Sequence, residues 1–117
     1  MKVLSFLLSL FILAACASTD TKPKQYLLSH IMCATEQEAN QARLRVLAGE
    51  PFEDVAKTMS TDPGTKNKGG RIAQWSAADA FSANFANEVK QLNIGQISAK
   101  PVKTEFGWHV VRVDAIH

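Results

Sequence analysis

Two histidines occur in apolar, strand-like segments near opposite ends of the sequence. His109 lies in 104–113, TEFGWHVVRV, where strand alternation places its side chain on an apolar face. His30 lies in the apolar run 26–32. A buried imidazole without a hydrogen-bond partner is costly. If both segments pair in one sheet, the two rings can meet in the interior and satisfy each other.

A metal site is an alternative interpretation of the same residues. In such a site, Cys33 and Asp62 would bind the metal ion together with His30 and His109. Strand alternation, however, points Cys33 to the face opposite His30. This favours ring-to-ring pairing. Because Cys33 ends the first apolar strand, we expect it to be a small buried apolar residue and not a reactive thiol.

The first 15 residues are typical of a secretory signal. Lys2 precedes an apolar run that is too short for a stable transmembrane helix. The run ends in Leu13-Ala14-Ala15-Cys16, which resembles the bacterial lipobox, where the cysteine is acylated and becomes the mature N-terminus. We therefore expect a lipoprotein signal peptide at 1–15 and a lipidated tether at 16–25. An ordinary secretory signal that contains a cysteine is the alternative.

The residues after the signal indicate location and partners. Ala17, not aspartate, follows Cys16, which in a Gram-negative envelope favours the outer membrane, facing the periplasm. Removal of 1–15 leaves 12 basic and 11 acidic residues. This near-neutral charge, without a basic stripe, argues against nucleic acid as a partner. With Cys16 lipidated, Cys33 has no partner for an intrachain disulfide.

Residues 26–117 are predicted to form one α+β domain. The pattern indicates a strand, then three helical segments with a short strand among them, then a hairpin across 105–107. This order predicts one small antiparallel sheet of about four strands with three to four helices. In detail, helical spacing places Leu47 on the inward face of the first helix, and Ser76 is predicted to cap a short helical turn.

Eight short motifs occur in order along residues 30–113. They are His30-Ile31, Gly49-x-x-Phe52 with Val55-Ala56, Ser60-x-Asp62, Gly69-Gly70, Phe81-x-x-x-Phe85, Gly95-Gln96-Ile97-Ser98, Pro101-Val102-Lys103-Thr104 and Phe106-Gly107-Trp108-His109. Each motif alone is weak. Together, across the whole mature domain, they resemble the parvulin family of peptidyl-prolyl cis/trans isomerases.

The resemblance implies a parvulin-like fold and a set of seven site residues. His30 and His109 match the paired core histidines of the family, and Thr104 matches the threonine that joins their hydrogen-bond network. Asp62 stands where parvulins have Asp or Cys beside the substrate. The residues that match the walls of the proline pocket are Ile72, Phe81 and Phe85.

Local sequence also fits simpler roles for three of these residues. Phe81 and Phe85 lie four residues apart, a spacing typical of the core face of a helix. Asp62 precedes Pro63-Gly64 and is typical of a turn. Without the resemblance, these interpretations would be preferred.

The sequence departs from the family pattern in three places. Arg71 and Ala73 stand where the family usually has Asp and Gly. The stretch from Trp75 to Phe81 is one residue longer than usual. The basic cluster that binds phosphate in phosphorylation-dependent parvulins is absent after the first strand, where the chain reads Ala34-Thr35-Glu36. The last departure argues against recognition of phosphoserine or phosphothreonine.

The activity implied by the resemblance is prolyl isomerisation of unfolded or exported polypeptides that contain proline. Rotation about an X–Pro bond makes and breaks no covalent bond, so no metal or other cofactor is expected. A peptide-binding chaperone or envelope assembly factor without turnover is the alternative on the same fold. We expect a monomer that is attached to the membrane through its lipid.

Overall fold

The two histidine-bearing segments form neighbouring strands at the centre of one sheet. The structure, a computed structural model, describes residues 22–117, so the expected signal peptide, Cys16 and most of the expected tether lie outside the described residues. The strands are β1 (Tyr26–Cys33), β2 (Arg71–Ser76), β3 (Val102–Thr104) and β4 (Gly107–Ile116). The helices are α1 (Glu36–Leu47), α2 (Phe52–Met59) and α3 (Ala83–Gln91).

The sheet is antiparallel throughout, with the strand order β2-β1-β4-β3. In the central pair, His30 lies opposite Val111, and Met32 lies opposite His109. Strands β3 and β4 form the expected hairpin, with a turn at Glu105 and Phe106. The α+β prediction of one four-stranded antiparallel sheet with three helices is therefore confirmed.

Helices cover both faces of this sheet, so alternate residues of β1 and β4 enter two separate cores. Leu28 and Val111 pack with Phe85 and Val89 of α3 on one face. On the other face, Ile31, Cys33 and Val110 pack with buried residues of α1 and α2, which are Ala39, Ala42, Phe52, Val55 and Ala56. His30 and His109 share the α3 face, whereas Cys33 lies on the opposite one, as alternation predicted.

Two local expectations are wrong. Leu47 is 59% exposed, because α1 ends there and the buried residues of this helix are Ala42 and Ala39, about one and two turns earlier. Ser76 belongs to the end of β2 and its hydroxyl donates to the carbonyl of Gln74. The following turn of 3-10 helix, Ala78–Ala80, is preceded by Ala77 and has no side-chain cap.

The Gly69-Gly70 pair joins the loop after α2 to the sheet. Gly70 has φ +85°, and its carbonyl accepts a 2.8 Å hydrogen bond from the backbone N–H of His30. A Cβ atom on Gly70 would lie 2.5 Å from the carbonyl oxygen of His30. Only glycine fits at this distance and this backbone conformation, so the loop passes against β1 at the level of the histidine.

The two ends of the described domain meet at one end of the sheet. Gln25 and His117 exchange two backbone hydrogen bonds of 3.1 and 2.8 Å. The ring of His117 in turn packs edge-on against Trp75 of β2, with centroids 5.4 Å apart. The chain therefore enters and leaves the sheet at the same place.

Among residues 22–117, no helix is both long and apolar enough to cross a bilayer.

We expect Gly70→Ala to lower the free energy of unfolding by about 3 kcal/mol or more, because it adds a steric clash to an unfavourable φ. Gly49→Ala is the matched control. Gly49 has φ +110° but no atom within 4 Å of an added Cβ, so only the backbone cost of about 1–2 kcal/mol applies. Chemical denaturation measures both variants. Equal losses would show that the approach to His30 is not close.

Candidate active site

The imidazoles of His30 and His109 are in direct contact between β1 and β4. Their Nδ1 atoms lie 3.0 Å apart, and the rings stack with centroids 5.2 Å apart. Both residues are buried, with 7% and 4% of their surface exposed. The predicted meeting of the two histidines is present, and it follows from their register in the central strand pair.

A hydrogen-bond chain extends from this pair in both directions. Nε2 of His30 lies 2.7 Å from a carboxylate oxygen of Asp62, and Nε2 of His109 lies 2.6 Å from the hydroxyl of Thr104. At the far end, the backbone N–H of Phe106 donates to that hydroxyl at 3.1 Å. Four of the predicted site residues therefore form one continuous chain.

The carboxylate fixes the direction of this chain when both imidazoles are neutral. An ionised carboxylate only accepts, so Nε2 of His30 carries the proton and its Nδ1 is the acceptor. His109 then donates from Nδ1, and its Nε2 accepts from the hydroxyl of Thr104. Every donor points towards Asp62, and each ring nitrogen is satisfied.

Aromatic rings lie against one side of the histidine pair. Phe85, 3% exposed on α3, meets both imidazoles edge-on, with centroids 6.4 Å from His30 and 5.5 Å from His109. Phe81 packs on Phe85 at 4.7 Å. Phe81 precedes α3, so the four-residue spacing does not reflect a helix face as local sequence favoured; only Phe85 belongs to the helix core.

One cavity of about 570 Å³ brings the whole predicted site together. All seven predicted catalytic and pocket residues line it: His30, Asp62, Ile72, Phe81, Phe85, Thr104 and His109. Six further residues line it that sequence reasoning did not select: Met32, Thr65, Ala80, Ser82, Glu105 and Phe106. The cavity thus has an apolar wall beside a polar floor.

The residues missed by sequence reasoning carried weak signals. Phe106 is 72% exposed, and its place in a turn motif gives no sign that it lines a cavity. Met32 follows His30 by two residues on the same strand face, so alternation could have identified it. Thr65 lies in a polar loop, where nothing in its type or spacing indicates that it contacts Asp62 and His30.

The departures from the family pattern leave the cavity intact. Arg71 and Ala73 are exposed on β2 and are not among the described residues that line it. The longer stretch before Phe81 contains the 3-10 turn Ala78–Ala80, which leaves Phe81 against the cavity.

The Asp62 side chain is both a turn residue and a site residue. Burial acts to raise its pKa, but hydrogen bonds from Thr65, His30 and the backbone N–H of Gly64 outweigh this and hold the pKa below its usual value. The carboxylate is therefore ionised at neutral pH. The thiol of Cys33 differs, because burial and the nearby charge of Glu38 raise its pKa to about 11.

Comparison with known proteins assigns the chain to a family. Residues 18–115 match the family model described as "Rotamase: PPIC-type PPIASE domain". The chain belongs to this family of parvulin-type domains, as the sequence motifs indicated. The assignment rests on the domain as a whole, whose fold and site geometry agree with it.

Individual relatives support the assignment. A probable parvulin-type peptidyl-prolyl cis-trans isomerase of Bordetella pertussis is 40% identical over 77% of this chain and 35% of that protein. A foldase protein PrsA of Clostridium acetobutylicum is 42% identical over 81% of this chain and 28% of that protein. The chain therefore spans about a third of the length of these curated relatives.

A solved structure from Campylobacter jejuni, described among two structurally related SurA-like chaperones, has a TM-score of 0.74 to this chain. Its sequence identity is 34%, over 82% of this chain and 40% of that one. This match supports the same fold, and it too covers only one part of a longer protein.

The histidine pair predicts that the domain loses stability in mild acid. Burial, together with the neighbouring His30, lowers the pKa of His109 from 6.5 to about 4, although Asp62 acts in the opposite direction. Between these pH values the unfolded chain binds more protons than the folded one. Stability should therefore fall as pH drops from 6.5 towards 4, on the order of 2 kcal/mol after allowance for solvent screening.

The measurement is thermal unfolding as a function of pH. His109→Gln replaces the imidazole by an amide that can still donate and accept hydrogen bonds but does not titrate. It should therefore flatten the dependence of stability on pH in this window. His117→Gln, which replaces an exposed histidine outside the cavity, is the control for the loss of a histidine. A His109→Gln slope equal to that of the wild type would contradict the role of this residue.

Proposed function

We propose that this protein is a peptidyl-prolyl cis/trans isomerase. The observation that carries the proposal is a single cavity in which an apolar wall of aromatic rings lies beside a directed, fully satisfied hydrogen-bond chain. Family membership supports the same activity. Because the chain covers only a third of its curated relatives, the activity of this protein is proposed from its own site.

The chemistry required is modest, and the site matches it. Rotation about the X–Pro bond meets a barrier of about 18–20 kcal/mol, because amide resonance is lost in the twisted state. A site accelerates the rotation if it binds the twisted amide more tightly than the planar one. No nucleophile or cofactor enters such a step, so shape, exclusion of water and fixed dipoles are the means available.

In this proposal the apolar wall holds the proline ring. Phe81, Phe85 and Ile72 line the cavity, and Phe85 makes a T-shaped ring contact with each of the two imidazoles. A pyrrolidine ring bound against these side chains would bring its amide close to the histidine pair. Burial of this ring provides binding energy while the preceding peptide group remains free to turn.

The polar chain supplies a fixed electrostatic environment, and it does not exchange protons with the substrate. Each proton between Thr104 and Asp62 is already held in a hydrogen bond of 2.6–3.0 Å. This hydrogen-bond chain ends at the negatively charged carboxylate of Asp62, which lines the cavity. Asp62 therefore acts on the changing charge distribution of the amide, and His30, His109 and Thr104 keep it in place.

The proposed substrates are unfolded or exported polypeptides that contain proline, without a requirement for phosphorylation. Among the described residues that line the cavity, none is lysine or arginine. A phosphate group before proline would meet the carboxylates of Asp62 and Glu105 instead of a cationic partner. Unphosphorylated sequences are therefore the preferred ones.

A non-catalytic chaperone is the second candidate function. The Campylobacter jejuni relative is described as a SurA-like chaperone, and the same cavity could hold a proline segment without turning its amide. The two functions differ in a measurable way, since a chaperone binds a proline peptide but leaves its rate of isomerisation at background.

We also propose that the protein is a lipoprotein of the cell envelope, anchored through Cys16 in the outer membrane and facing the periplasm. The support is the sequence Leu13-Ala14-Ala15-Cys16 after an apolar run, with Ala17 following. The Ser-, Thr- and Lys-containing segment before β1 would serve as the tether. We further propose that the protein acts as a monomer near the membrane surface.

We expect Phe81→Ala to lower kcat/KM for a short proline peptide by about tenfold, because it removes ring contacts used by both planar and twisted states. Binding of the peptide should weaken in parallel. Exchange NMR measures the isomerisation rate, and titration with the same peptide measures binding. Leu47→Ala is the control, because Leu47 is an exposed apolar side chain outside the cavity.

The wild-type protein decides between the two candidate functions. If it accelerates exchange and Phe81→Ala reduces the rate, the isomerase proposal stands. If it binds the peptide without acceleration, the chaperone takes its place. Phosphorylation of the residue before proline should not increase the rate.

Lipidation should depend on Cys16. Cys16→Ser should leave the protein without fatty acid and absent from the washed membrane fraction, because serine cannot replace the thiol in acylation. Metabolic labelling with a tagged fatty acid, followed by fractionation, measures both effects. Cys33→Ser is the control, since Cys33 is buried in the domain. Continued labelling of Cys16→Ser would contradict the lipobox interpretation.

A further inference from the structure

Thr65 makes contacts at the site that its sequence position does not reveal. Its hydroxyl donates to Asp62 at 2.7 Å, to the same carboxylate oxygen that accepts from His30. The same hydroxyl lies 3.2 Å from Nε2 of His30. One side chain therefore touches both partners of the histidine–carboxylate pair.

The backbone of Thr65 is tied to the same strand as His30. Its carbonyl accepts a 2.9 Å hydrogen bond from the N–H of Gly70. The carbonyl of Gly70 in turn accepts from the N–H of His30 at 2.8 Å. The contacts form a closed ring, from the imidazole of His30 through Thr65 and Gly70 back to the backbone of His30. Such a ring fixes the imidazole and the carboxylate in one relative position.

The carboxylate has few other means of orientation. Its second oxygen accepts one hydrogen bond, of 3.2 Å, from the backbone N–H of Gly64 in the exposed Asp62–Gly64 turn. Removal of the Thr65 hydroxyl would leave His30 as the sole side-chain donor to Asp62. A carboxylate held by one side-chain donor can rotate. If it rotates away from Nε2 of His30, that nitrogen loses its acceptor, and the tautomer with the proton on Nδ1 is no longer disfavoured.

We infer that Thr65 is a positioning residue. It orients the Asp62 carboxylate and thereby fixes the tautomer of His30 and the donor direction along the hydrogen-bond chain from Thr104 to Asp62. The inference deepens the proposed isomerase function and rests on it for the catalytic consequence. Its structural half concerns only the hydrogen-bond chain and can be tested without a substrate.

The other titratable groups around Asp62 are few among the described residues that line the cavity. His30 faces it from β1, His109 lies one ring further on β4, and Glu105 lines the cavity from the β3–β4 hairpin. From the α3 side, the lining residues Phe81 and Phe85 are uncharged. A change in the titration of Asp62 on loss of Thr65 is therefore referable to the lost hydrogen bond.

The test compares Thr65→Val with Thr65→Ser in the full-length chain in detergent micelles. Thr65→Val keeps the shape and removes the hydroxyl, whereas Thr65→Ser restores it. Thr58→Val is the matched control, because the hydroxyl of Thr58 binds only carbonyls within α2. Thr65→Ala is a second variant without the hydroxyl, should the valine perturb the fold, and near-UV circular dichroism checks each variant.

The first readout is the ¹⁵N NMR spectrum of the histidine rings. The wild type, Thr65→Ser and Thr58→Val should show His30 protonated at Nε2 only. Thr65→Val and Thr65→Ala should show both tautomers, together with a higher pKa of Asp62. The same single tautomer and the same Asp62 titration in all five proteins would overturn the inference.

The second readout is catalysis as a function of pH. Thr65→Val should lower kcat for a proline peptide by about tenfold with KM changed less than about twofold, and should move the acidic limb of the profile to higher pH. A change confined to KM would assign Thr65 a role in substrate binding and overturn the positioning role. If the wild type shows no turnover, the isomerase proposal fails, while the NMR readout still decides the role of Thr65.

Discussion

The contact between two buried imidazoles governs the arrangement of this domain. A pair of polar rings in the interior is acceptable only if every nitrogen finds a partner. The 3.0 Å contact satisfies one nitrogen of each ring, and the other two require Asp62 and Thr104. One loop and one hairpin must therefore be held close to the central strands, and much of the remaining structure provides that placement.

The two faces of the sheet contribute to this placement in different ways. The face that carries α1 and α2 is an apolar core that includes the buried Cys33, and it packs against the central strands. The α3 face joins a second core to the cavity, where Phe85 contributes to both. Because Phe85 contacts the imidazoles directly, the packing of α3 and the geometry of the polar chain cannot vary independently.

The sequence predicts the regular parts of this arrangement well. Strand alternation and the order of elements predicted the sheet and, on the condition that β1 and β4 pair, the meeting of His30 and His109, because both depend on local periodicity. The seven residues selected by the resemblance to parvulins all line one cavity, together with six that it did not select. The errors at Leu47 and Ser76 occur at element ends, where one residue more or less changes which way a side chain points.

Contacts made by the loops, in contrast, could not be predicted from the sequence. Thr65 meets His30 across 35 positions of sequence, and only the path of the chain through Gly69 and Gly70 brings them together. A threonine among Pro, Gly and Lys has no periodicity that would mark it. Contacts of such polar loop residues are defined by the three-dimensional path of the loop and not by a local sequence pattern.

The backbone pairing of Gln25 with His117 has a consequence for how such a domain is used. The two ends of the domain lie side by side. The sheet can therefore form both when the domain is attached through one tether and when further segments are joined to its ends. The histidine pair begins five residues along β1 from Gln25, or about 16 Å of strand. Connections at that end therefore leave the cavity open, and the same unit can serve as an independent protein or as one module of a longer one.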